Sequence, residues 1–243
     1  MFIQNLFDQV PVLIKLLNLI EPIEIIAEID AKNDGFYQPL PEGSKIHQIL
    51  RQESEFDQNL LKRLLEHYIV DGVVYLYKVK NLRSAIREAE GEDVSLDYND
   101  IVGLHVINDE EAYLDTDIVK GEIKGLHLQD NDYILGNRKY LKRSEFIYIT
   151  DWHPTNSISP RSIGWTLDRA LSGRIDESIA AILGIAPDLV EDNKAISKER
   201  KAILIKNAIE DVILPLAGKF KTAIEKELGL PQNIRLSLYV NID

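Results

Sequence analysis

Apolar residues recur at the spacing of an α-helix in five stretches of the chain. The stretches are 8–20, 46–50, 56–69, 163–184 and 197–228. Each places its apolar side chains on one face, as an amphipathic helix does. Ser197 is suited to cap the start of the last stretch. Pro215 is predicted to kink that long helix, because proline removes a backbone hydrogen bond and clashes with the preceding turn.

Short runs of β-branched and aromatic residues between turn residues predict the strands. The runs are 73–79, 102–107, 122–128, 139–141, 146–149 and 234–240. The segment 23–29 fits either a strand or a second short helix. The segment 81–99 is charged and poor in large apolar residues, so we expect a loop there. Helices precede and follow a central β-rich block, which predicts an α+β fold.

Composition narrows the class of protein. The chain has 243 residues, of which 45% are hydrophobic and 28% charged, enough for one large domain or two small ones. It contains no cysteine, which excludes disulfides, thiol catalysis and cysteine-bound zinc and fits a reducing compartment. Charges and prolines interrupt its most apolar stretch, so we expect a soluble, intracellular chain.

The charge balance is acidic, with one basic exception. The net charge of −12 argues against broad wrapping of nucleic acid, which needs clustered Lys and Arg. The locally basic residues are Lys194, Lys198, Arg200, Lys201 and Lys206. Two interpretations stay open for them: the solvated first half of a helix, or a contact with a polyanion.

Motifs for catalysis are scarce. The chain has no glycine-rich phosphate loop and no Gly-x-Ser-x-Gly elbow. Glu66, His67 and Asp71 are the candidates for acid–base or metal chemistry, and the last two would share a helix face. The acidic segments that begin at Asp115 and Asp130 lack the glycine that an EF-hand loop requires. We therefore expect no enzyme, no metal site and no cofactor.

The order of elements resembles that of the portal proteins of long-tailed bacteriophages. Asp71–Tyr75 is similar to the family's junction between a helix and an aromatic strand, and 146–160 to its isoleucine-rich strand and Ser-Pro helix start. The strongest similarity is at 179–190, which resembles an Ile-Ala, apolar, Gly-Val-Pro-Pro, Leu-Leu signature with Ala186 in place of the first proline. Residues 212–228 resemble the family's following Pro-Leu helix.

The resemblance has one large gap. In the family a stem helix, a clip domain and a returning stem helix separate the Ser-Pro start from the Gly-Val-Pro signature, but here only 165–177 lies between them. Ser172 and Gly173 are the predicted junction of this deletion, which is either engineered or natural in a degenerate prophage copy. The helix either continues through the junction or turns there into a helical hairpin.

The resemblance implies three regions. They are a wing-like α+β domain at 1–160, a residual stem-type helix at 161–184, and a tunnel-loop and helical region with a terminal strand at 185–243. Gly184, Pro187 and Pro215 are the implied hinge or kink positions.

The implied function is that of a structural subunit. Family members form ring oligomers, typically dodecamers, at one capsid vertex of the virion after assembly in the host cytoplasm. Double-stranded DNA passes through the ring without sequence specificity during packaging and ejection, and capsid and scaffold proteins contact its outside. Without stem and clip, the chain would lack the surface for the packaging motor and the head–tail connector. The residues implied nearest the DNA are Asp188, Glu191, Asp192, Asn193, Lys194, Ser197, Lys198 and Arg200.

Two other classes of function remain open from the residues alone. The first is an acidic interaction module that stays monomeric and binds a basic protein. The second is a small metal-dependent hydrolase or nuclease that uses Glu66, His67 and Asp71 with a second acidic cluster.

Overall fold

The computed structural model contains three small sheets and five α-helices in the residues that it describes. Those residues are 14, 18–20, 22–32, 34–51, 60–92, 96–107, 112–117, 119–129, 134–150, 186, 189 and 196–240. The strands are β1 (Ile23–Ile29), β2 (Gln38–Pro39), β3 (Val73–Lys80), β4 (Ile101–Val106), β5 (Tyr113–Asp117), β6 (Glu122–His127), β7 (Tyr140–Lys142), β8 (Phe146–Thr150) and β9 (Ile234–Val240). The α-helices are α1 (Lys45–Leu50), α2 (Leu60–Asp71), α3 (Leu82–Ala89), α4 (Lys198–Ala208) and α5 (Leu214–Leu228).

All strand pairs in the described residues are antiparallel. Sheet A has the order β2-β1-β9, sheet B the order β4-β3-β8, and sheet C the order β5-β6-β7. In sheet A, β9 pairs with the whole of β1, from Ile23 opposite Val240 to Ile29 opposite Ile234. The early and late parts of the chain are therefore hydrogen-bonded to each other. The α+β class predicted from the sequence is confirmed.

Sheet B is the middle layer, because it carries apolar side chains on both faces. Alternation along β3 sends Val74 and Leu76 into the main core and Tyr77 into a second one. Along β8, Ile147 joins the main core and Phe146 the second. Continuous apolar runs are typical of strands that are covered on both sides.

The main core forms where α5 packs against α2, β8 and β9. The buried residues of α5 recur at helical spacing; they are Ala217, Phe220, Ile224 and Leu228. Phe220 meets Tyr68 of α2 edge-on, with ring centroids 5.5 Å apart. Gly229 ends α5 in the left-handed conformation (φ 60°), as a helix C-terminal glycine commonly does.

The second core lies between sheets B and C. Leu126 of β6 and Leu141 of β7 pack there with Tyr77 and Phe146. On the opposite face of sheet C the Tyr140 side chain lies directly over Gly125, so closely that a Cβ atom at this glycine would overlap the phenol. Glycine is therefore required at that position.

Most sequence-predicted elements are confirmed, and the segment 23–29 is a strand. The loop expected at 81–99 is wrong, because α3 forms there. Asn81 caps it by accepting a hydrogen bond from the Ser84 amide (2.8 Å), and the Ser84 hydroxyl donates to Asp100 (2.5 Å). Strand β5 was also missed, because its segment is acidic; in the structure Asp115 and Asp117 are half-buried and Leu114 packs against the second core.

Several sequence expectations lie outside the described residues. They concern most of the first helix, the capping sequence at 54–57, and everything predicted for 151–185. In the described part of the chain, no helix is long and apolar enough to cross a bilayer. The three-region division stays a prediction.

The main core predicts the effect of truncating Phe220. Phe220→Ala should lower the free energy of unfolding by about 3–5 kcal/mol, because it removes buried apolar area and leaves a cavity. Urea unfolding monitored by circular dichroism measures this change. Phe36→Ala is the matched control, since Phe36 is 77% exposed and its loss should cost no more than about 0.5 kcal/mol. Equal losses in the two variants would contradict the assigned core.

Candidate functional site

The start of α4 is the described part of the predicted channel segment. The Ser197 hydroxyl accepts a hydrogen bond from the Arg200 amide at 3.2 Å, so Ser197 caps the helix as predicted. Lys198, Arg200 and Lys201 are exposed around this first turn. Glu199 lies among them, and hydrogen bonds from its own amide and from Ser197 lower the pKa of its carboxyl.

The cations at this helix start are not placed for helix stability. The N-terminus of a helix carries a partial positive charge, so each cation there is unfavourable by about 0.3–1 kcal/mol. Lys198, Arg200 and Lys201 nevertheless occupy this turn, together with one acidic residue of the same turn, Glu199. Side chains that destabilise their own helix are more typical of a contact surface than of residues that stabilise the fold.

Helix α4 exposes much of its surface around its basic start. Among its described residues, Ala208 at its end is buried, Leu204 and Ile205 are half-buried, and Ile203 is 58% exposed. A helix of this length spans about 16 Å, which separates the basic turn from the end that leads into α5.

A π-helical segment separates α4 from α5. Ile209–Ile213 has π geometry, and Pro215 follows in the first turn of α5. Proline has no amide hydrogen to donate into the preceding turn, and a π segment inserts about one extra residue and rotates the helix face. The π segment therefore changes the helical phase between α4 and α5.

A charged contact ties α5 to sheet B. Arg143 donates to Glu227 at 2.7 Å, and the amino group of Lys78 lies 3.7 Å from the other oxygen of the same carboxylate. Burial lowers the pKa of Lys78, and the neighbouring Glu227 partly offsets this effect. The Arg143 guanidinium also lies over the ring of Tyr148, with its central carbon 5.0 Å from the centroid.

A second ion network lies on the other side of β3. Glu145 is buried and accepts hydrogen bonds from Lys80 (2.5 Å), Arg138 (2.8 Å) and the Lys142 amide (2.7 Å). Lys80 also donates to Glu88 of α3. Burial alone would raise the pKa of Glu145, but the three donors outweigh burial and lower it. The two lysines of β3 therefore have different acidic partners, Glu227 for Lys78 and Glu145 for Lys80.

The remaining predicted channel, hinge and junction residues lie outside the described residues. They are Asp188, Glu191, Asp192, Asn193, Lys194, Gly184, Pro187, Ser172 and Gly173. Of the sequence-derived set, the structure brings Ser197, Lys198 and Arg200 together in one helical turn, and places Pro215 beyond the π segment. Their contact with DNA stays a prediction.

The acid–base candidates lie on α2. Burial lowers the pKa of His67 to about 4, and nearby Arg63 and His105 lower it further in the same direction. Burial raises the pKa of Glu66. A histidine that is neutral at pH 7 and has so low a pKa is a weak base. No group of three metal-ligating side chains occurs within the described ranges.

Sequence reasoning missed both ion networks. The signal was present, because Lys78 and Lys80 interrupt a strand otherwise made of apolar and aromatic residues. Their partners are distant in sequence: Glu145 and Glu227 lie on a turn and a helix that fold back onto β3. Only the packing of these elements identifies the pairs.

Comparison with known proteins places the chain by fold. No family model matches it, and no curated protein matches it. One similar structure is a chain in the neck of an empty GTA particle, computed with C6 symmetry: the TM-score is 0.58 and the identity 13%, over 98% of this chain and 82% of that chain. Another is a chain in the neck of a native GTA particle, computed with C12 symmetry: the TM-score is 0.56 and the identity 14%, over 96% of this chain and 81% of that chain. The chain therefore shares its fold with chains of these particle necks.

The Glu145 network predicts a pH-dependent loss of stability. Because the folded pKa of Glu145 is lowered, its contribution is fully present above the ordinary glutamate pKa of about 4.3 and is lost as pH falls through the lowered value. Glu145→Gln should cost about 3 kcal/mol at pH 7, since Lys80 loses a buried partner. This difference from the wild type should shrink toward acid pH.

Urea unfolding at several pH values measures that difference. Glu92→Gln is the matched control, because its pair with Arg87 is exposed on both sides, and it should change stability by less than about 0.5 kcal/mol. A Glu145→Gln cost that does not vary with pH would contradict the lowered pKa.

Proposed function

We propose that the chain is a structural subunit of a ring in the neck of a phage-like particle, of the portal type, through which double-stranded DNA passes. The observation that carries the proposal is the fold similarity to GTA neck chains over 98% and 96% of this chain. Those neighbours come from assemblies computed with C6 and C12 symmetry, which favours a ring of copies here as well. The portal-like order of sequence motifs favours the same role.

A ring wall that lets DNA slide needs weak, replaceable contacts. Each Lys or Arg that neutralises a phosphate strengthens binding by counterion release. A chain with net charge −12 repels DNA on average, and the exposed cations at the start of α4 supply a few contacts that hold it in register. In this proposal Ser197, Lys198 and Arg200 face the channel with Asp188, Glu191, Asp192, Asn193 and Lys194 of the preceding loop.

The architecture suits a passive component. α5 packs against strands of two sheets, and α4 begins with an exposed basic turn. In this proposal the start of α4 faces a central channel while the sheets contact neighbours and the capsid shell. We assign the chain to the portal vertex of a virion, assembled in the host cytoplasm, with no catalytic step of its own.

The short segment at 165–177 belongs to the same proposal. The chain would be a portal body without stem and clip, with Ser172 and Gly173 at the deletion. Capsid and scaffold proteins would contact it, and the docking surface for a packaging motor and connector would be missing.

Ring formation is the first test. Light scattering after size exclusion, at several protein concentrations, should give a mass of six to twelve copies, and negative-stain images should show rings with a central hole. The sheets and α5 provide a rigid body that can repeat around an axis. A monomer at every concentration would contradict the proposal.

The channel-facing cations are the second test. Lys198→Ala with Arg200→Ala should reduce the slope of log affinity for double-stranded DNA against log salt by about 2, because two phosphate contacts are lost. Lys32→Ala with Lys226→Ala is the matched control, since both side chains are exposed elsewhere on the surface. Fluorescence anisotropy with a short duplex measures both. An equal change in the two double variants would exclude a specific channel role for α4.

A further inference from the structure

Helix α3 turns its apolar face to solvent. Leu82, Ala85, Ile86 and Ala89 recur at positions i, i+3, i+4 and i+7, the spacing of one helix face. All four are exposed, Leu82 to 77% and Ile86 to 48%. An amphipathic surface helix normally buries such a stripe against its own core.

The polar side of α3 is the side that attaches it to the body. Ser84, its single buried residue, donates to Asp100, and Glu88 accepts from Lys80. These bonds hold the helix with its apolar stripe outward. Apolar anchors at i, i+3, i+4 and i+7 are the pattern by which a helix binds another protein.

A second exposed apolar feature lies at the turn between β5 and β6. The Val119 side chain is 96% exposed. Asp117 accepts hydrogen bonds from the amides of Val119 (3.1 Å) and Lys120 (3.2 Å), and Gly121 has the positive φ of 67° that the turn requires. The turn is therefore built to hold Val119 outward.

The two features lie at opposite ends of sheet C. Arg138, just before β7, lies 3.7 Å from Glu88 of α3. The next residue, Lys139, accepts a hydrogen bond at its carbonyl from the Leu128 amide, just after β6. Helix α3 is therefore close to the end of sheet C where β6 ends and β7 begins. The Val119 turn precedes the other end of β6. At about 3.3 Å per residue, β6 and its flanking residues separate the two ends by roughly 20 Å. One copy cannot bring its own turn onto its own α3.

The charges beside the two features are complementary. Arg83 lies in the first turn of α3 and Glu90 just after its end, and Lys120 and Glu122 follow Val119. None of these four side chains forms an ion pair among the residues that the structure describes. Across a contact between copies, Arg83 can meet Glu122 and Glu90 can meet Lys120.

We propose that the Val119 turn of one copy docks on the α3 stripe of the next copy. Donor and acceptor surfaces are different, so the contact is head-to-tail, and repeated contacts of this kind close into a ring when the rotation allows. The inference rests on the self-association that the proposed function requires, and it specifies which surfaces make that contact.

The chain offers a direct test because it contains no cysteine. Ile86→Cys combined with Val119→Cys places one thiol on each surface. Mild oxidation should produce a ladder of covalent multimers on a non-reducing gel, with loss of the monomer band. A mixture of the two single variants should stop at the dimer. Phe36→Cys with Val119→Cys is the control, because Phe36 lies outside α3 and is more exposed than Ile86 (77% against 48%), and it should stay monomeric on the gel.

Charge reversal in the Ile86→Cys, Val119→Cys variant adds a second measurement. Arg83→Glu should reduce the ladder, and the further change Glu122→Arg should restore it, because the pair is re-formed with opposite signs. Absence of restoration would contradict the proposed pairing. Circular dichroism of each variant shows that the fold is kept.

Each outcome separates this contact from the proposed function. More covalent multimer from the Ile86→Cys, Val119→Cys variant than from the Phe36→Cys, Val119→Cys control supports the contact. Rings by light scattering without that ladder overturn the contact and leave the ring subunit intact. Monomers by light scattering without a ladder overturn both. Dimers from Ile86→Cys alone, or a cross-link within one copy, overturn the head-to-tail geometry.

Discussion

The packing of α5 against sheets A and B is the constraint on which the rest of the structure depends. Phe220, Ile224 and Leu228 form the centre of the main core, and β9, which follows α5, completes sheet A by pairing with β1. Apolar area on the buried face of the helix is removed from water, which contributes about 25 cal/mol per Å². Because this unit comes from the end of the chain, the early strands have no complete core until it docks.

The buried charges follow from the same packing. Lys78 meets Glu227 of α5, while Lys80 meets Glu145 in the turn before β8. Buried charges of this kind add little net stability but are costly to leave unpaired. They therefore favour one arrangement of α5, sheet B and sheet C over alternatives with similar apolar burial, and they also set the position of α3 through Glu88.

The surfaces that point to function are those that the core leaves unused. α4 carries cations at a helix end where they are unfavourable, and α3 presents an apolar stripe outward. Both are held in place by groups that face the body: the π segment before Pro215 for α4, and Ser84 with Glu88 for α3. These two exposed surfaces are the ones to which the proposed contacts with DNA and with a neighbouring copy are assigned.

The sequence by itself determined the α+β class, the C-terminal ends of α2 and α5, the Ser197 cap and most strands, because these depend on local periodicity, capping and turn residues. Only the tertiary structure decided that α3 is a helix and that its apolar face is outward. The orientation of α3 is set by the hydrogen bond from Ser84 to Asp100 and by the hydrogen bond from Lys80 to Glu88. The pairing of β1 with β9 and of Lys78 with Glu227 likewise joins residues far apart in the chain. Local pattern carries no information on which distant partner satisfies a buried charge or a strand edge, because that choice is made by packing.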